Sequence, residues 1–324
     1  DHRDLHYPLR RQRQMCIRDS HFMITGASSG LGEESSRALA QAGATVTMLA
    51  RNQCKLDKAI ERIKSTNPSA VLKTGIADLS DQQSIRDYAQ GFLATGETID
   101  VLINNAGVMV CPFGKTADGI EMQFGTNHIG HFLLTNLLMP AILAGANPRI
   151  VNLSSAGHTH SDVNLDDPNF EKSEYNAWES YGRSKSANIH FTQEIVRRYG
   201  DRIQSFAVHP GVIMTELGRH LTPELMNEMT ERVKSRATSS SQAKETGALP
   251  FKSVEAGAAT QVWASVTEKL SENNGAYLGD CQVGVEGGNP SESGYLPYIF
   301  NKDTAEALWS LSEKLVKQDF PQLT

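Results

Sequence analysis

The chain has 324 residues, of which 39% are hydrophobic and 21% are charged, and its formal net charge is −6. This composition is too apolar for a disordered chain, and 4 cysteines are too few for a small disulfide-stabilised domain. No stretch approaches the ~20 apolar residues of a membrane-spanning helix, and the acidic balance argues against a nucleic-acid surface, so we expect a globular enzyme.

The first part of the chain differs from the rest. Residues 1–20 contain five arginines and three aspartates, and they lack the apolar segment and the cleavage site of a secretory signal. We interpret residues 1–20 as a non-native or disordered extension, and we expect a single domain at residues 21–324.

From residue 21 onward, short apolar segments alternate with amphipathic helical windows. The apolar segments lie at residues 22–25, 45–50, 71–76, 99–104, 149–153 and 205–209, and the helical windows include residues 31–42, 53–65 and 80–93. Buried strands that alternate with helices are typical of βαβ units with right-handed crossovers. The pattern predicts an α/β fold: one doubly wound domain whose mainly parallel sheet of about seven strands is flanked by helices.

A glycine-rich turn follows the first predicted strand and opens the first predicted helix. Glycines at this place let the backbone approach a pyrophosphate closely, and the helix N-terminus offers free N–H groups. The alternative is a plain tight turn between a strand and a helix. As a cofactor site, the turn contributes Gly26, Ser28, Ser29, Gly30, Leu31 and Gly32.

The end of the second predicted strand carries a basic residue where many dinucleotide sites carry an acid. An acid there binds the ribose 2′-hydroxyl, whereas an arginine accommodates a 2′-phosphate. Here Arg51 follows the strand, and no carboxylate comes before Asp57. The sequence therefore favours NADP as cofactor, with NAD possible, unless Arg51 merely caps the strand.

Tyr181 and Lys185 lie four residues apart in a helical window, on the same face of the predicted helix. An ammonium beside a phenol favours the phenolate, so we expect Lys185 to lower the pKa of Tyr181. Tyr181 would then act as general acid in a reduction and as general base in an oxidation. A surface pair is the alternative reading of this spacing.

A polar stretch with weak periodicity covers residues 215–248. We interpret this stretch with its flanking residues, 212–249, as a helical lid over a substrate. Its apolar positions favour a hydrophobic ligand or, as an alternative, pack the lid against the body of the domain. These positions are Ile213, Met214, Leu217, Leu221, Leu225, Met226 and Met229.

The motifs of this chain, taken in their order, resemble those of the short-chain dehydrogenase/reductase family from residue 21 to about residue 279. The matching elements are residues 25–32, Asp78 and Leu79, residues 104–107, Asn127, Ser154 and Ser155, Tyr181 and Lys185, and Pro210 and Gly211. The resemblance implies a Rossmann fold and a catalytic tetrad of Asn127, Ser155, Tyr181 and Lys185. It implies that Ser155 binds the substrate oxygen, that Asn127 holds a water linked to Lys185, and that Ser154 is a structural hydroxyl.

The resemblance also implies the remaining cofactor contacts. Asp78 would bind the adenine amino group, Leu79 would pack on the ring, and Lys185 would bind the nicotinamide ribose. Further contacts implied along the adenosine and nicotinamide sides are Asn105, Ala106, Gly107, Pro210, Gly211, Val212 and Thr215.

Two features resemble the retinol dehydrogenase and WW-domain oxidoreductase branch of the family: the 26-residue interval from Ser155 to Tyr181, and residues 205–217. The resemblance implies an NADP-dependent oxidoreductase for a small hydrophobic ketone, aldehyde or alcohol. The alternatives are a non-catalytic NADP(H) sensor and a C=C reductase that resembles protochlorophyllide reductase. The oligomeric state stays open.

The cysteines and histidines give no metal signature. Cys16, Cys54, Cys111 and Cys281 are scattered without a CxxC pair, which fits a reducing, cytoplasmic setting. His158 and His160 come without a ligand pattern around them, and we interpret them as loop histidines. The sequence thus predicts no bound metal, no membrane span and no nucleic-acid partner.

Overall fold

The computed structural model describes residues 17–237 and 251–323. In this part of the chain, the strands are β1 His21–Thr25, β2 Thr45–Ala50, β3 Val71–Ile76, β4 Val101–Asn104, β5 Arg149–Leu153, β6 Gln204–His209, β7 Val212–Ile213, β8 Phe251–Lys252, β9 Tyr277–Gly279, β10 Gln282–Val283, β11 Val285–Glu286 and β12 Gly294–Tyr295. The longer helices are α1 Gly30–Gln41, α2 Gln53–Thr66, α3 Gln82–Ala94, α4 Gly130–Leu143, α5 Ala177–Tyr199, α6 Pro223–Ala237, α7 Val254–Val266 and α8 Lys302–Val316.

Eight of these strands form the central sheet, in the order β10-β9-β6-β5-β4-β1-β2-β3. Neighbours from β9 to β3 run parallel, and β10 pairs antiparallel with β9. The predicted mainly parallel sheet of about seven strands is confirmed. The strand order reverses between β1 and β4, and in doubly wound sheets a ligand crevice opens at the carboxyl ends of such strands.

Apolar side chains fill both faces of the sheet. One face is covered by α3, α4, α5 and α8, and the other by α1, α2 and α7. The C-terminal helix packs tightly here, since the ring of Trp309 lies 5.0 Å from that of Phe132 and 5.9 Å from that of Phe191. Across the described ranges, no helix combines the length and the apolar content that a bilayer span requires.

The predicted extension, residues 1–20, and the predicted lid, residues 212–249, both contain described elements. Ile17–Asp19 form a 3-10 turn, Ile17 packs on the core, and the carbonyl oxygen of Ser20 accepts a hydrogen bond from the N–H of Thr45. The boundary expected after residue 20 was therefore wrong for residues 17–20, because they contact the domain, while residues 1–16 lie outside the described part. The predicted lid contains β7, a 3-10 turn at Glu216–Gly218 and α6, and its residues 238–249 lie outside the described part.

We expect His128 to make the fold sensitive to acid. Its ring is fully buried among aromatic side chains and bonds the hydroxyl of Ser312 on α8 at 2.9 Å. Burial lowers its pKa from 6.5 to about 3, so the unfolded chain binds more protons in that range and stability falls as the pH drops below about 6.5. When the pH is lowered from about 7.5 to about 5, the free energy of unfolding should fall by roughly 1–2 kcal/mol less in His128→Phe than in the wild type. Urea denaturation at the two pH values measures this difference. An unchanged acid dependence would contradict this account.

Candidate active site

The predicted site residues converge on one cleft of about 480 Å³ at the carboxyl ends of the parallel strands. Its volume lies in the range of small-molecule sites. All but two of the predicted cofactor and catalytic residues line it. Those that do are Gly26, Ser28, Ser29, Gly30, Leu31, Arg51, Asp78, Leu79, Asn105, Ala106, Gly107, Ser155, Tyr181, Lys185, Pro210, Gly211, Val212 and Thr215.

The first turn, between β1 and α1, requires its glycines. Gly26 has a φ of +66°, and a Cβ there would lie 2.8 Å from the Cα of Ala106. Gly32 is one of the two predicted residues that do not line the cleft. A Cβ on Gly32 would come within 2.5 Å of the carbonyl oxygen of Gly26, so this glycine lets the helix start close to the turn. Gly32 thus has a packing role, and its contact with a cofactor stays a prediction.

The N-terminus of α1 fits an anionic group. Ser29 occupies the N-cap position without a side-chain hydrogen bond to the helix, so the first N–H groups have no capping side chain. Glu33, the acid of the first turn, is paired with Arg62 at 2.7 Å. Free N–H groups and the helix dipole together suit a phosphate. Beside the tight glycine backbone, this end of the cleft fits the pyrophosphate of a dinucleotide.

Near the end of β2, Arg51 is exposed and lines the cleft. Asp78 accepts hydrogen bonds from both the N–H and the hydroxyl of Ser80, which orients its carboxylate. The sequence analysis missed Lys55, which also lines the cleft and pairs with Glu216 of the lid at 3.1 Å. Its position four residues after Arg51, near the start of α2, was the available signal.

The catalytic candidates meet around one phenol. Tyr181 is 3% exposed and lies close to the hydroxyl of Ser155, and its ring packs against the backbone of Gly157. Lys185 lies one turn along α5, and its Nζ donates to the carbonyl oxygen of Leu153 at 3.1 Å. Ser154 is buried, and its hydroxyl donates to the carbonyl oxygen of Lys185. The geometry thus brings Ser155, and not Ser154, to the phenol.

The pKa values of this pair correct one expectation. Burial raises the pKa of Tyr181 to about 12, although the hydrogen bond with Ser155 lowers it, and burial lowers the pKa of Lys185 to about 8. The predicted lowering of the phenol pKa was wrong for the protein without a cofactor, because burial raises this pKa. Desolvation of the phenolate has the largest effect on the pKa of Tyr181. The Nζ of Lys185 lies over the phenol ring, 5.5 Å from its centroid. At neutral pH the phenol is protonated, which is the form that donates a proton.

Asn127, the second predicted residue outside the cleft wall, is fully buried in a π-helical turn, Gly125–Ile129, before α4. Its side chain accepts from the N–H of Val108 at 2.8 Å and donates to the carbonyl oxygen of Val108 at 2.9 Å. It also donates to the hydroxyl of Ser184, which neighbours Lys185 on α5. Asn127 therefore connects the loop after β4 to the catalytic helix, and its water-binding role stays a prediction.

The opposite end of the cleft has an apolar wall that the sequence analysis identified only in its lid residues. Four apolar side chains line the cleft there and pack in one cluster: Met109, Trp178, Leu221 and Met229. The ring of His160, in a 3-10 turn, lies 5.4 Å from that of Trp178. The signal for Trp178 was its place one helical turn before Tyr181.

Neither histidine nor cysteine forms a metal site in the described part of the chain. No group of three or more His, Cys, Asp or Glu side chains in residues 17–237 and 251–323 is arranged to hold a metal ion. Cys54, Cys111 and Cys281 are free thiols. His158 is buried, and its Nδ1–H donates to the backbone oxygen of Ser155 at 2.7 Å, so it supports the loop that carries Ser155.

Comparison with known proteins agrees with this geometry. The model of the short chain dehydrogenase family matches residues 20–225. A short-chain dehydrogenase/reductase, prx1, from Penicillium roqueforti is 37% identical over 93% of this chain and 86% of its own length. Mouse (Mus musculus) retinol dehydrogenase 12 is 37% identical over 91% of this chain and 85% of its own length.

Solved structures give the same fold. An uncharacterised protein from Mycobacterium paratuberculosis is 31% identical, with a TM-score of 0.71 over 95% of this chain and 97% of that one. Gluconate 5-dehydrogenase from Burkholderia cenocepacia, solved with NADP and tartrate, is 21% identical, with a TM-score of 0.60 over 81% of this chain and 94% of that one, and it supports the fold alone. The family match over residues 20–225 and the identity with these relatives show that the chain belongs to the short-chain dehydrogenase/reductase family.

Proposed function

We propose that the chain is an NADP-dependent oxidoreductase that moves a hydride between nicotinamide and the carbonyl or alcohol carbon of a hydrophobic ketone, aldehyde or alcohol. One observation carries this proposal: the buried phenol of Tyr181 lies beside Ser155 in the same cleft that the glycine turn borders. A proton donor and a dinucleotide-binding turn in one cleft are what carbonyl reduction requires.

The proton step assigns a role to each catalytic side chain. When bound, a nicotinamide cofactor supplies or accepts the hydride. Ser155 donates a hydrogen bond to the substrate oxygen, and Tyr181 gives that oxygen its proton in reduction or removes it in oxidation. Lys185 binds ribose hydroxyls and places its positive charge beside the phenol as the phenolate forms.

Cofactor preference rests on the charges at the adenosine end. Arg51 and Lys55 both line the cleft there, and Arg51 takes the place where an acid would bind a 2′-hydroxyl. A planar guanidinium and an ammonium suit a 2′-phosphate. The substrate class rests on the apolar wall of Met109, Trp178, Leu221 and Met229. The cytoplasmic location stays a prediction.

The proposal is tested by following the absorbance of reduced nicotinamide with a panel of hydrophobic ketones and aldehydes. We expect NADPH consumption by the wild type and a loss of at least about 100-fold in kcat for Tyr181→Phe, because only the proton donor is removed. The affinity for NADPH should stay nearly unchanged. Tyr199→Phe is the matched control, since Tyr199 is buried near the far end of the same helix and does not line the cleft.

Tight NADPH binding without turnover of any carbonyl would favour a cofactor sensor instead. Consumption of NADPH with activated alkenes alone would favour C=C reduction. Comparable activity of Tyr181→Phe and the wild type would contradict the assignment of the phenol.

For cofactor choice, Arg51→Ala should weaken NADPH binding by about tenfold or more and leave NADH binding nearly unchanged, because a charge-assisted bond to phosphate is lost. Isothermal titration of both cofactors measures this difference. Arg37→Ala is the control: Arg37 bonds Glu34 on α1 and does not line the cleft. Equal losses for NADPH and NADH would show that Arg51 does not contact the 2′-phosphate.

We expect the buried ammonium of Lys185 to lower the stability of the native state. Its ammonium is buried, and burial lowers its pKa from 10.5 to about 8, so the native state is penalised below about pH 8. Between these values the unfolded chain binds more protons, and wild-type stability rises with pH. Lys185→Met should abolish turnover and raise the unfolding free energy by on the order of 2 kcal/mol at about pH 7, with a gain that narrows toward about pH 10. Thermal melts across this range measure the gain, and a variant less stable than the wild type at about pH 7 would contradict it.

A further inference from the structure

His131 lies between the glycine turn and the turn that carries Asn127. The side chain is 1% exposed, on the first turn of α4. Its Nε2 lies 2.8 Å from the hydroxyl of Thr25, at the end of β1, and its Nδ1 lies 2.9 Å from the backbone oxygen of Asn127. One imidazole thus spans the two parts of the site.

Counting donors and acceptors assigns the tautomer of this ring. The hydroxyl oxygen of Thr25 accepts from the N–H groups of both Asn105 and Ala106, each at 2.9 Å, so its own hydrogen must be donated elsewhere. The nearest acceptor is Nε2 of His131 at 2.8 Å, since the carbonyl oxygen of Ile103 lies 3.5 Å away. Nε2 therefore accepts, and Nδ1 carries the hydrogen that it donates to Asn127. Burial keeps this ring neutral by lowering its pKa to about 4.

The Asn127 side of the bridge leads directly to the catalytic helix. The backbone oxygen of Asn127 belongs to a π-helical turn, and such turns depart from the regular α-helical hydrogen-bond pattern. The side chain of the same residue bonds both backbone groups of Val108 and the hydroxyl of Ser184. A shift of this turn would move both the loop after β4 and the helix of Tyr181 and Lys185.

We propose that His131 is a positioning residue: as the neutral Nδ1–H imidazole, it holds the turn of Asn127 at a set distance from the glycine turn, so that the dinucleotide-binding turn and the catalytic helix keep their relative position. This inference rests on the proposed oxidoreductase function. His131 itself does not line the cleft, and it acts through Thr25, which lines the cleft, and through Asn127.

The chain offers a matched control on the same segment. His128 is three residues earlier, equally buried and also neutral, but its Nε2 bonds Ser312 on α8. Loss of His128 should therefore affect stability through the C-terminal helix and leave the relative position of the two site parts unchanged.

The first experiment compares His131→Leu, His131→Gln and His128→Phe by kcat, by the Kd of NADPH and by thermal stability. His131→Leu should lower kcat by at least about tenfold, since a displacement of ~1 Å can cost about 100-fold, and should weaken NADPH binding severalfold. His131→Gln should recover most of both, because a glutamine amide can accept from Thr25 and donate to Asn127. His128→Phe should leave kcat within about twofold of the wild type. Equal effects of His131→Leu and His128→Phe on kcat at equal loss of stability would overturn the proposal.

A second experiment examines the bridge itself. Long-range nitrogen–proton correlation spectra of the wild type should show His131 as the Nδ1–H tautomer, and the Nε2–H tautomer would overturn the proposal even if the leucine variant fails to fold. Thr25→Val combined with His131→Leu should lower kcat little further than either change alone, because both break one chain of bonds, whereas additive losses would overturn it.

These readouts separate this inference from the proposed function. If the wild type turns over no substrate, the proposed function fails. The tautomer and the Kd of NADPH for His131→Leu and His131→Gln then still decide whether the bridge positions the dinucleotide-binding turn.

Discussion

The hydroxyl of Thr25 joins the carboxyl ends of β1 and β4, because it accepts hydrogen bonds from the N–H groups of Asn105 and Ala106. The side chain of Asn105 adds a bond to the carbonyl oxygen of Thr25 at 2.7 Å. These contacts bring Ala106 so close to Gly26 that no Cβ fits between them. The crevice at the reversal of strand order therefore opens directly above this junction, and the glycine turn, the loop after β4 and α4 all take their positions from it.

Burial sets the chemistry on the other side of the cleft. Tyr181 and Lys185 are both excluded from solvent, which raises the pKa of the phenol and lowers that of the ammonium. Both shifts favour neutral forms, so the isolated pair is not a phenolate beside an ammonium. A buried ammonium with one backbone acceptor, the carbonyl of Leu153, costs stability, and this cost is typical of a group kept for chemistry.

The lid, residues 212–249, contributes to the apolar wall of the cleft. Leu221 and Met229 of the lid pack toward Trp178, whose indole N–H donates to Glu228 on α6 at 3.1 Å. The same apolar lid positions thus both pack against the domain and face the cleft, so the two alternatives from the sequence are compatible. Lys55 of α2 pairs with Glu216 of the lid, though an exposed pair of this kind contributes little stability.

Local patterns predicted the order of strands and helices, the glycine turn, Arg51 after β2, and the spacing of Tyr181 and Lys185, because each involves only residues that are neighbours in the chain. The tertiary structure adds that Ser155 rather than Ser154 lies beside the phenol, that Asn127 bonds Val108 and the hydroxyl of Ser184, and that residues 17–20 contact the domain. It also decided the sign of the pKa shift at Tyr181 and the place of His131 between Thr25 and Asn127. These properties depend on burial and on contacts between residues far apart in the chain, which no local pattern encodes.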